Sequence, residues 1–462
     1  MKFLLTAINA KFIHSNPAIY SLRAGAGEKL QPYVELAEFT INESLESILE
    51  GIWKRQPKVI GFSCYIWNWK LIREILTELP KILPDTEIWL GGPEVTYDGP
   101  GLLREFPQVT GIMVGEGEVT FREVLEQYLR EAETAGQSEQ QPESDSTEHQ
   151  VADRRGTVAG KSMVERFGQI PGLCLASGYT APRDLTDLTT LPFLYEDMEP
   201  FTNRIIYYET SRGCPYRCSY CLSSIDKKVR LRDISVVKRE LQFFLDQNVK
   251  QVKFIDRTFN CDHKHAMEIW RYIYEHDNGV TNFHFEISAD ILREEEIALL
   301  NRFRPGLAQL EIGVQSTNPE TIRAIHRVMD VDKLEKIVAA IHRGQNIHQH
   351  LDLIAGLPYE DYESFGRSFD RVYGMQPEQL QRYYAELLEK GLSHNTVRKH
   401  HVLLHTALEA AVRQGLLREN VTRYVTPPAK VLPSHRYYDP AQLRELFCRC
   451  AGTEIEPAVK LA

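Results

Sequence analysis

The stretch TSRGCPYRCSYCLSS, residues 210–224, holds three of the chain's eight cysteines, Cys214, Cys218 and Cys221. A disulfide is disfavoured because it leaves one thiol over. Zinc normally requires four ligands, so Cys261 or a nearby histidine would have to complete the set. Three thiolates on a four-iron cube leave one iron open to a substrate or cofactor. The C-x3-C-x2-C spacing, in a loop after a predicted strand, favours an iron–sulfur cluster.

The composition is that of an ordinary globular protein with roughly two to four domains. The 462 residues are 43% hydrophobic and 26% charged, with a net charge of −10. This charge argues against the whole molecule being a nucleic-acid binder. No apolar run approaches the ~20 residues that span a bilayer, and MKFLLTAINAKF reads as a strand rather than a signal peptide. The few cysteines predict a reducing, cytoplasmic location.

Residues 1–130 alternate apolar runs with segments of helical periodicity, which predicts a doubly wound α/β domain with a parallel sheet. The predicted strands are Phe3–Ile8, Val34–Ile41, Val59–Cys64, Ile88–Leu90 and Gly111–Val114. Ligands of such sheets bind outside the carboxyl ends of the strands. Those ends carry Ser63 and the run Gly91-Gly92-Pro93, whose glycines either admit a ligand or form tight turns.

A polar segment separates this domain from a second alternating series. Residues 131–165 are rich in Glu, Gln and Ser and predict a disordered linker. Residues 166–203 read as a bridging segment with a hairpin around Ile170-Pro171-Gly172. Residues 204–375 then predict a partial (β/α)6 barrel. Its predicted strands are Ile205–Glu209, Val252–Asp256, Phe283–Ser288, Leu310–Gln315 and His350–Ala355.

The cysteine loop resembles the signature of the radical S-adenosylmethionine (SAM) enzymes, C-x3-C-x-(aromatic)-C, with Tyr220 as the aromatic residue. The resemblance implies a [4Fe–4S] cluster whose free iron chelates SAM, and a 5′-deoxyadenosyl radical that abstracts hydrogen from a substrate. It also implies cofactor contacts at the strand ends. The candidates are Asp256, Phe259, Glu286, Ser288 and Gln315, and each of them could equally be a structural hydrogen-bonding or packing residue.

The first domain resembles the cobalamin-binding domain that precedes the barrel in one branch of this superfamily. The shared features are the opening Ile8-Asn9-Ala10-Lys11 and the GGPEVT and GEGE sequences. This resemblance implies cobalamin contacts at Ser63 and Gly91-Gly92-Pro93. The D-x-H-x-x-G loop that ligates cobalt is missing, so His14 is expected to be structural or to support residues that contact the cofactor, and no protein histidine is expected on cobalt. The aromatic CYIWNW stretch could face a corrin edge or pack in the core.

The carboxyl-terminal part departs from this pattern. Residues 376–430 resemble the helical core-binding domain of tyrosine recombinases, a small all-α domain. It includes a helix capped by Ser393 with a stripe of Val397, His401, Leu404, Leu408 and Ala411. Residues 431–462 resemble the start of the recombinase catalytic domain, before its catalytic Arg, His-x-x-Arg and tyrosine, so no recombination chemistry is expected. Two interpretations of the basic residues are possible: weak DNA binding or a solvated helix face. These residues are Arg398, Lys399, His400 and Arg413.

The sequence therefore predicts a cobalamin-dependent radical SAM enzyme, a methyltransferase or rearrangement enzyme with an unknown substrate. It would take electrons from a donor such as flavodoxin or ferredoxin. A barrel without its sixth strand would have an open edge, and turnover could be impaired. The alternatives are a catalytically impaired fusion product whose helical tail binds DNA, and a zinc-stabilised binding module.

Overall fold

The computed structural model describes residues 2–138, 162–226, 228–375, 393–413, 420 and 422. The chain divides into two compact units, Met1–Glu360 and Asp361–Ala462. The first unit contains both predicted β/α series. No helix among the described residues is long and apolar enough to cross a bilayer.

The first sheet has the strand order β2-β1-β3-β4-β5, and these strands are all parallel. They are β1 (Phe3–Asn9), β2 (Val34–Thr40), β3 (Val59–Ser63), β4 (Glu87–Gly91) and β5 (Val109–Met113). A short antiparallel hairpin, β6 (Leu173–Leu175) and β7 (Gly178–Tyr179), extends the sheet beyond β5. The predicted parallel α/β architecture is confirmed. This strand order places a topological switch point between β1 and β3.

Helices cover both faces of this sheet, because the central strands are apolar on both sides. They are α1 (Pro17–Gly25), α2 (Leu45–Trp53), α3 (Trp69–Ile82), α4 (Pro93–Thr96), α5 (Gly99–Glu105), α6 (Gly117–Ser138) and α7 (Met163–Phe167). All seven residues of β1 are buried. One core contains Leu4 and Ile8, and the opposite core contains Phe3 and Leu5. The Asn16 side chain caps α1, with Pro17 at its first position.

The structure corrects two predictions for the segment after the first domain. The disordered linker was predicted from residue 131, but α6 continues to Ser138, and Ser162 already caps α7. Residues 139–161 lie outside the described part. The hairpin was predicted around residues 170–172, yet its turn is at 176–177 between β6 and β7. These two strands pair with the first sheet, because β5 leaves an edge that β6 can extend.

The second sheet is parallel, with the order β14-β13-β12-β11-β8. Its strands are β8 (Ile206–Tyr208), β11 (Gln251–Phe254), β12 (Asn282–Ile287), β13 (Ala308–Gln315) and β14 (His348–Leu353). A two-stranded antiparallel pair, β9 (Ser211–Arg212) and β10 (Arg230–Leu231), flanks the cysteine loop. Within the described ranges the sheet has these five strands, which agrees with a partial barrel.

Alternation along these strands separates an apolar face from a charged one. Val252, Phe283 and Leu310 are fully buried. They face the side covered by α8 (Ile234–Asp246), α9 (His263–Glu275), α10 (Glu294–Leu300), α11 (Pro319–Ala324) and α12 (Val331–His342). On the other face, Lys253 lies 2.9 Å from Glu311. The barrel interior is therefore polar.

The two sheets are joined within the first unit through the segment that follows β1. His14 forms a parallel bridge with Ile205, and its Nδ1 lies 2.5 Å from the hydroxyl of Tyr207 on β8. Arg204 forms an ion pair with Glu38 of β2. The carboxyl edge of the first sheet thus lies beside the first strand of the second. The structural role predicted for His14 agrees with these contacts.

In the second unit, the structure describes α13 (Tyr362–Gly374) and α14 (His394–Arg413). The predicted cap of α14 is confirmed, because the Ser393 hydroxyl accepts a hydrogen bond from the Thr396 amide at 3.1 Å. Val397 is buried, and the other four members of the predicted stripe are half-buried. The remaining predictions for residues 376–392 and 423–462 lie outside the described part, so the all-α domain is seen only as α14.

Candidate functional site

The cysteine loop begins at the carboxyl end of β8, where Asp256 from the end of β11 holds it. The Asp256 carboxylate accepts hydrogen bonds from the Thr210 amide at 3.1 Å and from the Thr210 and Ser211 hydroxyls at 2.6 Å each. Asp256 is only 1% exposed, and burial raises the pKa of its carboxyl. The structure shows this carboxylate holding the loop, and its predicted contact with a cofactor stays a prediction.

The three cysteines of the loop are free thiols that lie close to the protein interior. Cys214 and Cys218 are buried, and Cys221 is half-buried. Gly213 has a φ of +93°, and a Cβ there would lie 2.4 Å from the Lys228 carbonyl oxygen, so the turn before Cys214 requires glycine.

The donor set of this loop suits an iron–sulfur cluster. Three thiolates can each bind a different iron of a four-iron cube, and the fourth iron then has no protein ligand. No group of three or more His, Cys, Asp or Glu side chains that could hold a metal ion is found among the described residues.

An arginine that the sequence reasoning missed lies next to the cysteine loop. The Arg327 Nη1 lies 3.8 Å from the Cys218 sulfur, and its Nη2 donates to the Gly313 carbonyl. Arg327 follows β13 by twelve residues, in a segment without a recognisable motif. The predicted aromatic residue, Tyr220, remains 40% exposed, and burial of its ring raises its pKa to about 12.

The other predicted strand-end residues fall into two groups. Phe259 is buried, with its ring centroid 4.6 Å from that of Phe285, and Ser288 is buried with its hydroxyl donating to Asp290 at 2.9 Å. Glu286 and Gln315 are half-buried. Desolvation raises the pKa of Glu286, although Lys253 at 3.7 Å opposes this shift. The first group therefore supports the fold, and the second is accessible.

A cavity of about 540 Å³ opens at the carboxyl edge of the first sheet. Its lining includes Ser63, Gly91, Gly92 and Pro93, all four of the residues predicted there. Gly92 has φ +110° and ψ 172°, a conformation that is essentially restricted to glycine. The backbone at this edge is consequently exposed to the cavity, as close approach of a ligand requires.

The aromatic stretch after β3 combines both predicted roles. Tyr65 lines the cavity, and Trp67 stacks on it with ring centroids 4.3 Å apart. Trp69 instead packs against the core beneath α3. One aromatic side chain therefore faces the cavity, one supports it from outside and one belongs to the core.

A second cavity, of about 760 Å³, lies between the β6–β7 hairpin and the cysteine loop. It is lined by Gly213 and Ser223 of the loop and by Thr180 and Arg183 beyond the hairpin. Six residues line both cavities, and we call them the shared wall: Gly115, Glu116, Glu209, Arg212, Ile255 and Arg257. The two cavities are therefore adjacent, and we refer to them together as the common cleft.

Arg212 ties the two sides of this cleft together. Its Nε donates to both carboxylate oxygens of Glu209 at 2.9 Å, and its Nη2 donates to Glu118 at 2.6 Å. Burial raises the pKa of Glu209 to about 7, partly offset by Arg212. For Glu118, burial acts in the same direction, but Arg212 outweighs it and the pKa is lowered. The sequence showed the SRGC and GEGE motifs separately, without a signal that they pair.

Comparison with known proteins identifies two domains in the chain. Residues 4–125 match the B12 binding domain, and residues 208–372 match the Radical SAM superfamily. The chain therefore carries a B12-binding domain followed by a radical SAM domain, the combination found in cobalamin-dependent radical SAM enzymes. The cofactors of this class are a [4Fe–4S] cluster, SAM and cobalamin.

Among curated proteins, the chain is similar to two methyltransferases. It is 26% identical over 363 residues to the 2-(S-pantetheinyl)-carbapenam-3-carboxylate methyltransferase of Streptantibioticus cattleyicolor, which covers 74% of this chain and 48% of the relative. It is 24% identical over 335 residues to the cobalamin-dependent radical SAM methyltransferase TokK of Streptomyces tokunonensis, covering 67% and 44%. The chain thus spans about half the length of these relatives.

Two solved structures share the fold. The radical SAM methyltransferase TsrM of Kitasatospora setae, with tryptophan and a SAM analogue bound, superposes with a TM-score of 0.59 at 18% identity. That match covers 82% of this chain and 72% of TsrM. The cobalamin-dependent enzyme OxsB, with aqua-cobalamin and SAM bound, superposes with a TM-score of 0.58 at 15% identity, covering 80% and 51%.

Proposed function

We propose that this chain transfers a methyl group in a reaction that combines cobalamin with radical cleavage of SAM. The observation that carries the proposal is the common cleft, in which the carboxyl edge of the B12-binding sheet and the cysteine loop share one wall. A methyl carrier and a radical source must reach the same substrate carbon, and a shared cleft provides that proximity. The methyltransferases among the relatives support the same reaction class.

Each cofactor has a set of residues that suits it. Cys214, Cys218 and Cys221 would ligate three irons of the cluster and leave the fourth for SAM. We expect SAM contacts from Tyr220, Glu286 and Gln315, with Ser288 beneath them. Ser63 and Gly91-Gly92-Pro93 would receive cobalamin. When bound, the cluster with SAM supplies a carbon radical, and cobalamin supplies a methyl carrier.

The protein's own contribution is to orient these groups. Asp256 fixes the start of the cysteine loop through Thr210 and Ser211. Arg212 then fixes the position of the loop relative to Glu118 of the B12-binding domain. Since these side chains are only 7–27% exposed, solvent and salt screen this contact less than they screen a surface ion pair. The two cofactor sites are thereby held at a constant separation.

The test is anaerobic reconstitution of the full chain with iron, sulfide and hydroxocobalamin. After SAM and dithionite are added, we expect both S-adenosylhomocysteine and 5′-deoxyadenosine, together with corrin absorbance that survives desalting. Cys218→Ser should lose 5′-deoxyadenosine, whereas the matched control Cys174→Ala, a buried thiol in β6, should retain it. Formation of 5′-deoxyadenosine without S-adenosylhomocysteine would favour a rearrangement over methyl transfer. Loss of all corrin absorbance after desalting would refute the proposal.

The remaining predictions concern partners and location. We propose a cytoplasmic enzyme reduced by a flavodoxin or ferredoxin, as the radical chemistry requires an electron donor. The family matches end at residue 372, so the recombinase resemblance of residues 376–430 and 431–462 stays a prediction. For DNA contact through Arg398, Lys399 and Arg413, the support is that Lys399 and Arg413 are exposed on α14.

A further inference from the structure

The positive charges around the common cleft are almost all neutralised by acidic partners. Arg212 pairs with Glu209 and Glu118, and Arg230 pairs with Glu116 and with Asp226 at 2.9 Å. Arg183, which lines the second cavity, pairs with Glu123. These guanidinium groups serve the architecture of the cleft and have little capacity left for a ligand.

Arg257 is different. It follows Asp256 at the end of β11, is exposed, and lines both cavities. Within the described residues, its side chain forms no hydrogen bond and no ion pair. The two acids on the same wall, Glu116 and Glu209, are already engaged by Arg230 and Arg212. Nearby, Glu286 pairs with Lys253. The shared wall therefore presents one guanidinium whose charge acts on Glu286 from a distance but whose N–H donors are not used by the described residues.

The chemistry of this group indicates what it would bind. A guanidinium carries five donors in a planar fork that matches a carboxylate or a phosphate through two parallel hydrogen bonds. Asp256, the residue before it, is locked to the cysteine loop, so the backbone that carries Arg257 is held in place.

We propose that Arg257 is an anion-recognition residue, and that it binds a carboxylate or phosphate group of a molecule in the common cleft. This inference rests on the function proposed above, in which an acidic substrate is one source of such a group. The same chemistry is offered by the carboxylate of SAM and by the phosphate of cobalamin. The experiment must therefore distinguish a substrate group from a cofactor group.

The test is the rate at which phenylglyoxal modifies Arg257 in the full chain, followed by peptide mass spectrometry. The probes are inorganic phosphate, succinate, hydroxocobalamin and SAM, each compared with chloride at equal ionic strength. We expect rapid modification in chloride and at least a threefold slower rate with phosphate or succinate. Arg239, an exposed residue of α8 that lines neither cavity, should react at the same rate throughout. A rate at Arg257 that none of the four probes changes would overturn the proposal.

Comparison of the four probes also identifies the molecule that supplies the anionic group. If succinate still protects Arg257 in protein already loaded with hydroxocobalamin and SAM, the residue is open to an acidic substrate. If one cofactor alone gives full protection, the residue recognises that cofactor. Phosphate should also raise the melting temperature of wild type and Arg239→Gln but not of Arg257→Gln. None of these measurements requires turnover, so a failure of methyl transfer would leave this result standing.

Discussion

Replacing Gly92 by alanine tests whether the edge of the first sheet is built for close approach of a ligand. A Cβ at this position would lie 2.4 Å from the carbonyl oxygen and 3.1 Å from the amide nitrogen of Cys64. Both are backbone atoms just beyond β3, where Cys64 is itself fully buried. They cannot move as the end of a flexible side chain can.

The cost has two parts. The backbone conformation of Gly92 costs a non-glycine residue about 1–3 kcal/mol, and the overpacking costs about 1–3 kcal/mol more. The matched control is Gly115→Ala. Gly115 also has a positive φ, +81°, but no atom lies within 4 Å of its built Cβ. We expect only about 1–2 kcal/mol for this control, the strain of the left-handed conformation.

Urea titrations followed by circular dichroism measure the free energy of unfolding of both variants. Absorbance after mixing with hydroxocobalamin and desalting measures the retention of cobalamin. We expect Gly92→Ala to be less stable than Gly115→Ala by at least about 1 kcal/mol and to retain less corrin. Equal unfolding free energies in the two variants would show that the approach of Gly92 to Cys64 has been misread.

Three further predictions concern charged groups. Arg212→Gln should lower the free energy of unfolding by about 3 kcal/mol, since it leaves the carboxylates of Glu209 and Glu118 without their partner. The conservative variant Arg212→Lys should lower this free energy by less. Equal decreases in the two variants would contradict the pairing. The pKa of Glu209 is about 7 in the folded chain and about 4.3 in the unfolded chain. Between these two pH values the native state binds more protons than the unfolded state. The free energy of unfolding should therefore fall by about 1–3 kcal/mol as the pH rises from about 4.3 to 7. Glu209→Gln should abolish that fall in urea titrations across this range, and an unchanged pH profile would refute the assignment. If α14 contacts DNA, Lys399→Ala should reduce the slope of log K against log salt by about 0.9 in fluorescence anisotropy with the full chain, whereas binding without salt dependence would exclude phosphate contacts.

Local patterns in the sequence were sufficient for the elements of the first unit and for its cofactor class. The apolar run Phe3–Ile8 predicted β1 to within one residue, because a central parallel strand is apolar on both faces. The cysteine spacing is likewise local, since one loop supplies all three thiols. Composition was a poorer guide after Leu129, where a polar segment was read as disordered although α6 continues to Ser138.

Contacts between distant segments were decided only by the tertiary structure. Arg212 and Glu118 are 94 residues apart, and Arg327 and Cys218 are 109 apart, so neither pair leaves a periodic trace in the sequence. Each meeting depends on strand order and on where a crossover places a loop. The sequence motif that contains Asp256 was recognisable, but its contact with the cysteine loop depends on how the strands pack. The position of the neighbouring Arg257 at the cleft depends on the same packing. The motifs that indicate the cofactors are therefore readable in short stretches of sequence. The contacts that bring the two predicted cofactor sites to one cleft depend on how the two sheets pack.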